Sequence, residues 1–154
     1  MSFSGDIEKF VKHAKGNGDA LVRQTVLDIG TRLVERTPVG NPTGGGVGGV
    51  PPWKSKPPPG YVGGHARANW QHSVGAPIFS EVPGTDKTGG PTIEKIMNSI
   101  PKKAGGKTHY ITNSVPYIER LEDGHSHQAP PNGIVGRTVV EFQGIVNAIA
   151  AGLR

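Results

Sequence analysis

The sequence predicts a small α+β domain, in which a long N-terminal helix and a C-terminal helix pack on a small antiparallel or mixed sheet. Apolar residues recur at helical spacing near both ends of the chain, and two short segments between them have strand character. Glycine and proline dominate residues 38–64. With 154 residues, 34% of them hydrophobic, we expect one domain over residues 1–154, and residues 38–64 form an extended arm or insertion within it.

The first helix is predicted to extend to about Arg36. Its apolar positions repeat every three or four residues, at Phe3, Ile7, Phe10, Val11, Ala14, Val22, Val26, Ile29 and Leu33. The Gly-Asn-Gly sequence at 16–18 either kinks one helix or separates two, and Asp19 is predicted to cap the second part. The helix ends near Thr37, because Pro38 disfavours helical angles in the residue before it.

The Gly/Pro-rich arm is predicted to need a neighbouring chain. Ordering a backbone costs about 1–2 kcal/mol per residue, with more for glycine, and the arm has few apolar groups to offset that cost. Burial of Trp53 and Tyr61 in another subunit would supply the missing stabilisation. We therefore expect both residues at a subunit or partner interface, with Trp53 as the anchor.

The middle of the chain predicts two strands and two short helices. Residues 66–74 alternate like a half-buried strand, with Trp70 packed on the first helix through Ile29 or Leu33. A short amphipathic helix over 93–100 ends before Pro101, and 109–113 is a second strand. About two helical turns begin at Pro116 and close at Gly124.

The C-terminal segment from Val135 has the clearest helical pattern. Its apolar residues follow a four-three spacing, which predicts burial of Val139, Phe142, Val146 and Ile149 against the sheet or the first helix.

Composition argues against several functional classes. The chain has no cysteine, so it forms neither disulfides nor thiolate metal sites. The N-terminus lacks signal-peptide features, and no apolar run is long enough to cross a bilayer. The net charge of +5 allows DNA binding, but the basic residues are scattered and the lysines at 102, 103 and 107 fit a solvated loop.

The histidines, serines and glycines form no complete catalytic or cofactor motif. His125 and His127 alternate in a loop, with Glu122, Asp123 and His109 as the other candidate ligands, so a metal-dependent hydrolase is the weaker alternative. Ser114 and His109 lack a nucleophile elbow and an orienting partner. The glycines at 44–49 lack the ending of a phosphate loop. We therefore predict no enzyme activity, metal or cofactor.

Two motifs carry more information than composition. The first is Asn113, Tyr117, Leu121, Glu122 and Gly124, in an N-x-x-x-Y-x-x-x-L-E-x-G pattern. In it, the asparagine sets a turn after the strand, Tyr117 and Leu121 share a helical face that packs on the sheet, and Gly124 supplies a left-handed angle.

The second motif is divided between two places in the chain. Its first half, Thr37-Pro38-Val39-Gly40, ends the first helix. Its second half, Arg67, Asn69 and Trp70 in an R-x-N-W pattern, opens the first strand.

These motifs, in this order, resemble the tail-completion or neck proteins of long-tailed bacteriophages, the group related to the lambda minor tail protein Z. The resemblance extends from about Val22 to the end of the chain. Family members run the T-P-V and R-x-N-W elements nearly together, whereas the Gly/Pro-rich arm separates them here.

The resemblance implies a structural virion protein that is made in the host cytoplasm. It would form a homo-oligomeric ring, commonly hexameric, at the head-proximal end of the tail and help to join head to tail. Its neighbours would be neck, adaptor and tail-terminator or tail-tube proteins, with DNA only passing through the lumen and no membrane partner. A tail terminator or head–tail adaptor is the alternative. We expect Glu122, His125 and His127 to contact a neighbouring subunit or partner.

Overall fold

A computed structural model describes residues 3–45, 49–124 and 133–153, with α1 side chains described at Ile7 and from Gly16 onward. The described elements combine helices with a small sheet, as the α+β prediction requires. In chain order they are α1 (Phe3–Arg36), α2 (His65–Ala68), β1 (Gln71–Val74), α3 (Gly90–Ser99), β2 (His109–Thr112), α4 (Ile118–Glu122) and α5 (Val135–Gly152).

The sheet pairs β1 and β2 antiparallel, with Gln71 opposite Thr112 and Val74 opposite His109. Helix α1 packs on α5 and α3, and α3 packs on β1. No helix within the described ranges is both long and apolar enough to span a bilayer.

The core forms where α1 meets α3 and the chain around Trp70. Its buried apolar residues are Val26, Leu33, Val34, Trp70, Ile96, Ile100, Ala104 and Ile134. The prediction that Trp70 is buried beside Leu33 is confirmed, and Ile29 is partly buried against the same cluster. The short helix predicted over 93–100 and the strand predicted over 109–113 are also confirmed within one to three residues, as α3 and β2.

Helix α1 runs without a break through the Gly-Asn-Gly sequence at 16–18. The prediction that Asp19 caps a second helix is therefore wrong, because Asp19 lies inside α1. Its carboxylate instead accepts a hydrogen bond from the Gly105 amide, at 2.8 Å. This contact fixes the loop between α3 and β2 to the middle of α1.

The predicted first strand is half helical. Residues 65–68 form α2, which begins after Gly64 (φ +105°) and is closed by a 3.0 Å hydrogen bond from the Ala68 amide to the Gly64 carbonyl. The alternation of small apolar residues at 66 and 68 resembled a strand, but both alanines are buried by a helical turn. The strand itself begins at Gln71.

The predicted buried face of α5 is wrong in part. Val139 and Phe142 are 66% and 47% exposed, while Thr138 and Ile145 are the buried residues of the helix. Val146 and Ile149 are half-buried.

Ion pairs from α1 explain this orientation of α5. Glu141 accepts hydrogen bonds from Arg32 at 2.8 Å and from Arg36 at 2.6 Å, and Arg36 also donates to the Thr138 hydroxyl at 2.8 Å. The Arg36 hydrogen bond, followed by that of Arg32, lowers the pKa of the Glu141 carboxyl. These polar contacts therefore turn Thr138 and Glu141 towards α1, and the face that carries Val139 and Phe142 stays exposed to solvent.

The arm makes a few backbone contacts with itself. An isolated antiparallel bridge joins Gly45 and Val50, and the Trp53 amide donates to the Pro42 carbonyl at 3.0 Å. Residues 51–62 are exposed.

The orientation of α5 predicts unequal costs for two truncations on this helix. Ile145→Ala should lower the free energy of unfolding by about 2–5 kcal/mol, because it empties a buried site. Phe142→Ala should cost less than half as much, because Phe142 is already 47% exposed. Urea denaturation at low protein concentration measures both values, and a larger loss for Phe142→Ala would contradict the described orientation.

Candidate functional site

The turn after α1 joins the two halves of the T-P-V and R-x-N-W motif. Thr37 is fully buried, and its hydroxyl donates to the Leu33 carbonyl at 2.7 Å and accepts from the Trp70 indole Nε1 at 2.7 Å. The Arg67 guanidinium donates to the Thr37 carbonyl through Nε at 3.1 Å and Nη2 at 2.8 Å. Residues thirty positions apart in sequence therefore form one polar cluster at the end of α1.

Arg67 also connects this cluster to the segment before α3. Its Nη1 donates to the Lys87 carbonyl at 2.7 Å. Burial lowers the pKa of Arg67, although Asp86 and Glu35 act in the opposite direction. A cation at the last carbonyls of a helix is favourable, because the C-terminal end carries the negative end of the helix dipole. Arg67 therefore acts as a structural clamp.

Asn69 binds the backbone of Val82 through its side-chain amide. Its side chain is fully buried, with Nδ2 donating to the carbonyls of His65 at 2.9 Å and Val82 at 3.1 Å. Its Oδ1 accepts from the Val82 amide at 2.8 Å. Only a side-chain amide can both donate and accept in this way, which explains why the motif has asparagine rather than aspartate here.

Asn113 connects the other motif to the same region. Its Nδ2 donates to the Ala66 carbonyl at 2.8 Å, and its Oδ1 accepts from the Val115 amide at 3.2 Å. The predicted turn-setting role is confirmed by the second of these bonds. The first bond was not predictable from local sequence, because its acceptor lies 47 residues away.

Glu122 caps the C-terminal helix. Its carboxylate accepts from the amides of Ile134 at 2.7 Å, Val135 at 2.8 Å and Gly136 at 2.9 Å. Burial alone would raise the pKa of Glu122, but the three amides outweigh it and hold the pKa below its usual value. The predicted partner contact of Glu122 stays a prediction, and His125 and His127 lie outside the described residues.

Two glycines make this cap possible. Gly124 has φ +80°, the left-handed angle that the motif predicted. Gly133 has φ +81°, and a Cβ at that position would collide with Glu122 Oε1. The carboxylate therefore approaches the backbone at a place where a side chain does not fit.

The predicted arm residues and residues of both motifs line one pocket. Its volume is about 560 Å³, and its walls include Pro38, Trp53, Tyr61, Tyr117 and Leu121. The Trp53 and Tyr61 rings lie 5.0 Å apart with a 59° angle between their planes. They are 40% and 37% exposed.

Tyr117 was expected to pack on the sheet, but it borders this pocket and is 40% exposed. Leu121 lines the pocket and also packs against the core cluster. The pocket is therefore a concave, aromatic surface that combines the arm with the start of α4.

Two buried polar groups were missed by the sequence reasoning. Asp86 caps α3, accepting from the Gly89 amide at 2.7 Å and from the Thr92 hydroxyl at 2.6 Å. Its pKa is lowered because these bonds outweigh its burial. The signal was present, since an aspartate precedes Pro91 and the first apolar residue of α3. His72 is also buried and contacts His109, and no local pattern indicates that contact.

Metal coordination has no support within the described parts of the chain, where no three His, Asp or Glu side chains lie close enough together to hold an ion. Comparison with protein-family models, with curated proteins and with solved structures found no match to this chain.

The cap predicts a pH-dependent loss on substitution of Glu122. Glu122→Ala should lower the free energy of unfolding by about 0.5–2 kcal/mol at pH 7, the usual cost of losing a cap. Because the folded pKa lies below the unfolded one, the wild-type advantage is present above the usual glutamate pKa. It is lost as the pH falls through the folded pKa.

Urea denaturation at pH 7 and at acidic pH measures this difference. Glu119→Ala is the control, because Glu119 is exposed on the same short helix. Equal losses for the two variants at pH 7 would contradict the capping role.

Proposed function

We propose that this chain is a structural, non-enzymatic subunit of a long-tailed bacteriophage virion. In this proposal it is assembled in the host cytoplasm, completes the tail as a ring at the head-proximal end, and helps to join head to tail. The observation that carries the proposal is that both motifs of the resemblance occupy connected positions. Arg67 and Trp70 bind Thr37, and Asn113 binds the Ala66 carbonyl.

Exposed apolar surface supports an assembling subunit. On α5, Val139, Val140 and Phe142 are 66%, 85% and 47% exposed, with Val135 also exposed. Val135, Val139 and Phe142 follow a four-three spacing and so share one face of the helix. We call these three residues the α5 ridge. The ion pairs of Glu141 with Arg32 and Arg36 hold this ridge in a fixed orientation. Contiguous apolar surface on a small protein is typical of an interaction site.

The aromatic pocket is a second surface of a different shape. It is concave, whereas the α5 ridge is convex, and it contains Trp53, Tyr61 and Tyr117. Two different patches on one chain favour head-to-tail contacts, in which one patch of a copy meets another patch of the next copy. Repetition of such a contact closes a ring when the rotation between copies permits it.

This proposal predicts that the α5 ridge is needed for self-association. Val139→Asp should leave the chain folded but reduce the mass of the assembled species to that of the monomer, because a carboxylate would be buried without a partner. Light scattering over a range of concentrations measures the mass. Asn147→Asp is the matched control, because Asn147 is exposed on the same helix.

A wild-type protein that stays monomeric at every concentration would contradict the ring. Val139→Asp protein that assembles like the wild type would exclude the α5 ridge as the interface.

The arm carries a separate prediction. Deletion of residues 44–60 should leave helix content nearly unchanged, because the contacts of Thr37 with Arg67 and Trp70 close the chain outside the deleted segment. The deleted protein should nevertheless fail to join heads to tails, since it lacks Trp53. Circular dichroism measures the first effect, and the titre of infectious particles measures the second.

Trp53→Ser tests the anchor by itself, with Lys56→Ser as an exposed control in the same arm. Normal infectivity of particles built from the deleted protein would contradict a role of the arm in joining.

A further inference from the structure

A chain of hydrogen bonds connects the sheet to α3. His72 lies on β1 and His109 on β2, and they share a sheet face because His72 is opposite Ile111, two residues from His109. His72 Nε2 lies 2.9 Å from His109 Nδ1. At the two ends of this series of hydrogen bonds, His72 Nδ1 lies 2.7 Å from Ser99 Oγ, and His109 Nε2 lies 2.8 Å from the Ala104 carbonyl oxygen.

The Ala104 carbonyl fixes where each hydrogen lies when both rings are neutral. A carbonyl oxygen only accepts, so His109 carries its hydrogen on Nε2 and its Nδ1 has a free lone pair. That lone pair accepts from His72 Nε2, which leaves His72 Nδ1 to accept the hydroxyl hydrogen of Ser99. Two neutral imidazoles therefore satisfy all three contacts, with the Ser99 hydrogen directed to His72 and not to the Ile96 carbonyl oxygen, which lies 2.7 Å from Ser99 Oγ.

The pair accommodates one added proton but not two. When His72 Nδ1 is protonated it donates to Ser99 Oγ, and the serine hydroxyl turns to the Ile96 carbonyl, which is also 2.7 Å away. Every contact is then retained. A second proton must go to His109 Nδ1, where its hydrogen would point at the hydrogen on His72 Nε2, so the bond between the rings is lost.

Apart from Ser99, the groups around the pair give the charge of an added proton little compensation. Lys95 of α3 borders the small cavity beside His72 and Ser99, and the loop before β2 contributes Lys102, Lys103 and Lys107. Asp19 of α1 binds the Gly105 amide next to Ala104. On the strands, Gln71 and Ser73 flank His72, and Tyr110 follows His109.

Burial, followed by the charge of His109, lowers the pKa of His72. No carboxylate in the described ranges contributes to that shift.

We infer that Ser99, His72, His109 and the Ala104 carbonyl form a pH-sensitive lock between α3 and the sheet, which stays closed while the two rings hold at most one added proton and is opened by uptake of a second. The sign follows from proton binding. The unfolded chain can take a proton on each ring below the ordinary histidine pKa of about 6.5, whereas the closed pair holds at most one. Burial also lowers the pKa of His72 in the folded chain. The stability contributed by the lock is therefore full above that pH and decreases as the pH falls below it.

Nitrogen-15 NMR of the full-length wild-type protein tests the arrangement without any substitution. Above pH 7 both rings should be protonated on Nε2, with Nδ1 as an acceptor. On acidification, the His72 resonance should titrate at a lower pH than in the urea-unfolded protein. An Nδ1–H tautomer in either ring, or titration of His72 at the same pH folded and unfolded, would overturn the lock.

A stability measurement tests its effect. The urea midpoint of the wild type should fall between pH 7.5 and pH 5, and His72→Gln/His109→Gln protein should show a smaller fall. His65→Gln should retain the wild-type dependence, because His65 lies outside this chain of bonds. Equal falls in the wild type and the double variant would overturn the inference, and the NMR measurement decides alone if the double variant does not fold.

Discussion

The buried hydroxyl of Thr37 is the contact on which the rest of the structure depends. It bonds back to Leu33 in the last turn of α1 and receives the indole N–H of Trp70, the largest side chain in the core. An unpaired indole N–H or helix carbonyl in this position would carry the full cost of desolvation. One hydroxyl satisfies both groups, so the end of α1 and the start of the sheet have to form together.

From this turn, side-chain bonds continue through the domain to its last helix. Asn113 connects β2 to the Ala66 carbonyl of α2, and Glu122 connects α4 to the first amides of α5. With only 34% hydrophobic residues, the chain has a small apolar core. The buried polar contacts therefore specify which elements meet, because each has few alternative partners.

Features of the structure that depend on nearby residues could be predicted from the sequence. The end of α1 before Pro38, the burial of Trp70 and the left-handed Gly124 all follow from residues within a few positions. Features that depend on residues far away in the sequence could not be predicted. The apolar spacing of α5 selected Val139 and Phe142 as buried, but arginines more than 100 residues earlier in the chain bind Glu141 and turn the helix. The aromatic residues of the arm were recognised, whereas their pairing with Tyr117 in one pocket depends on the tertiary fold.

The contacts at Thr37 also explain how the domain tolerates the arm that lies between the T-P-V and R-x-N-W elements. Residues 38–64 separate these two elements in the chain. Arg67 and Trp70 still bind Thr37, so the two ends of the inserted segment are held at one place. The entropy of closing a loop grows slowly, by about 0.6 kcal/mol for each doubling of its length. Closing a long loop therefore costs the domain little, as long as the bonds that close it are buried, whereas ordering the residues of the loop is a separate cost. The arm can then differ in length and composition while the core that carries it stays the same.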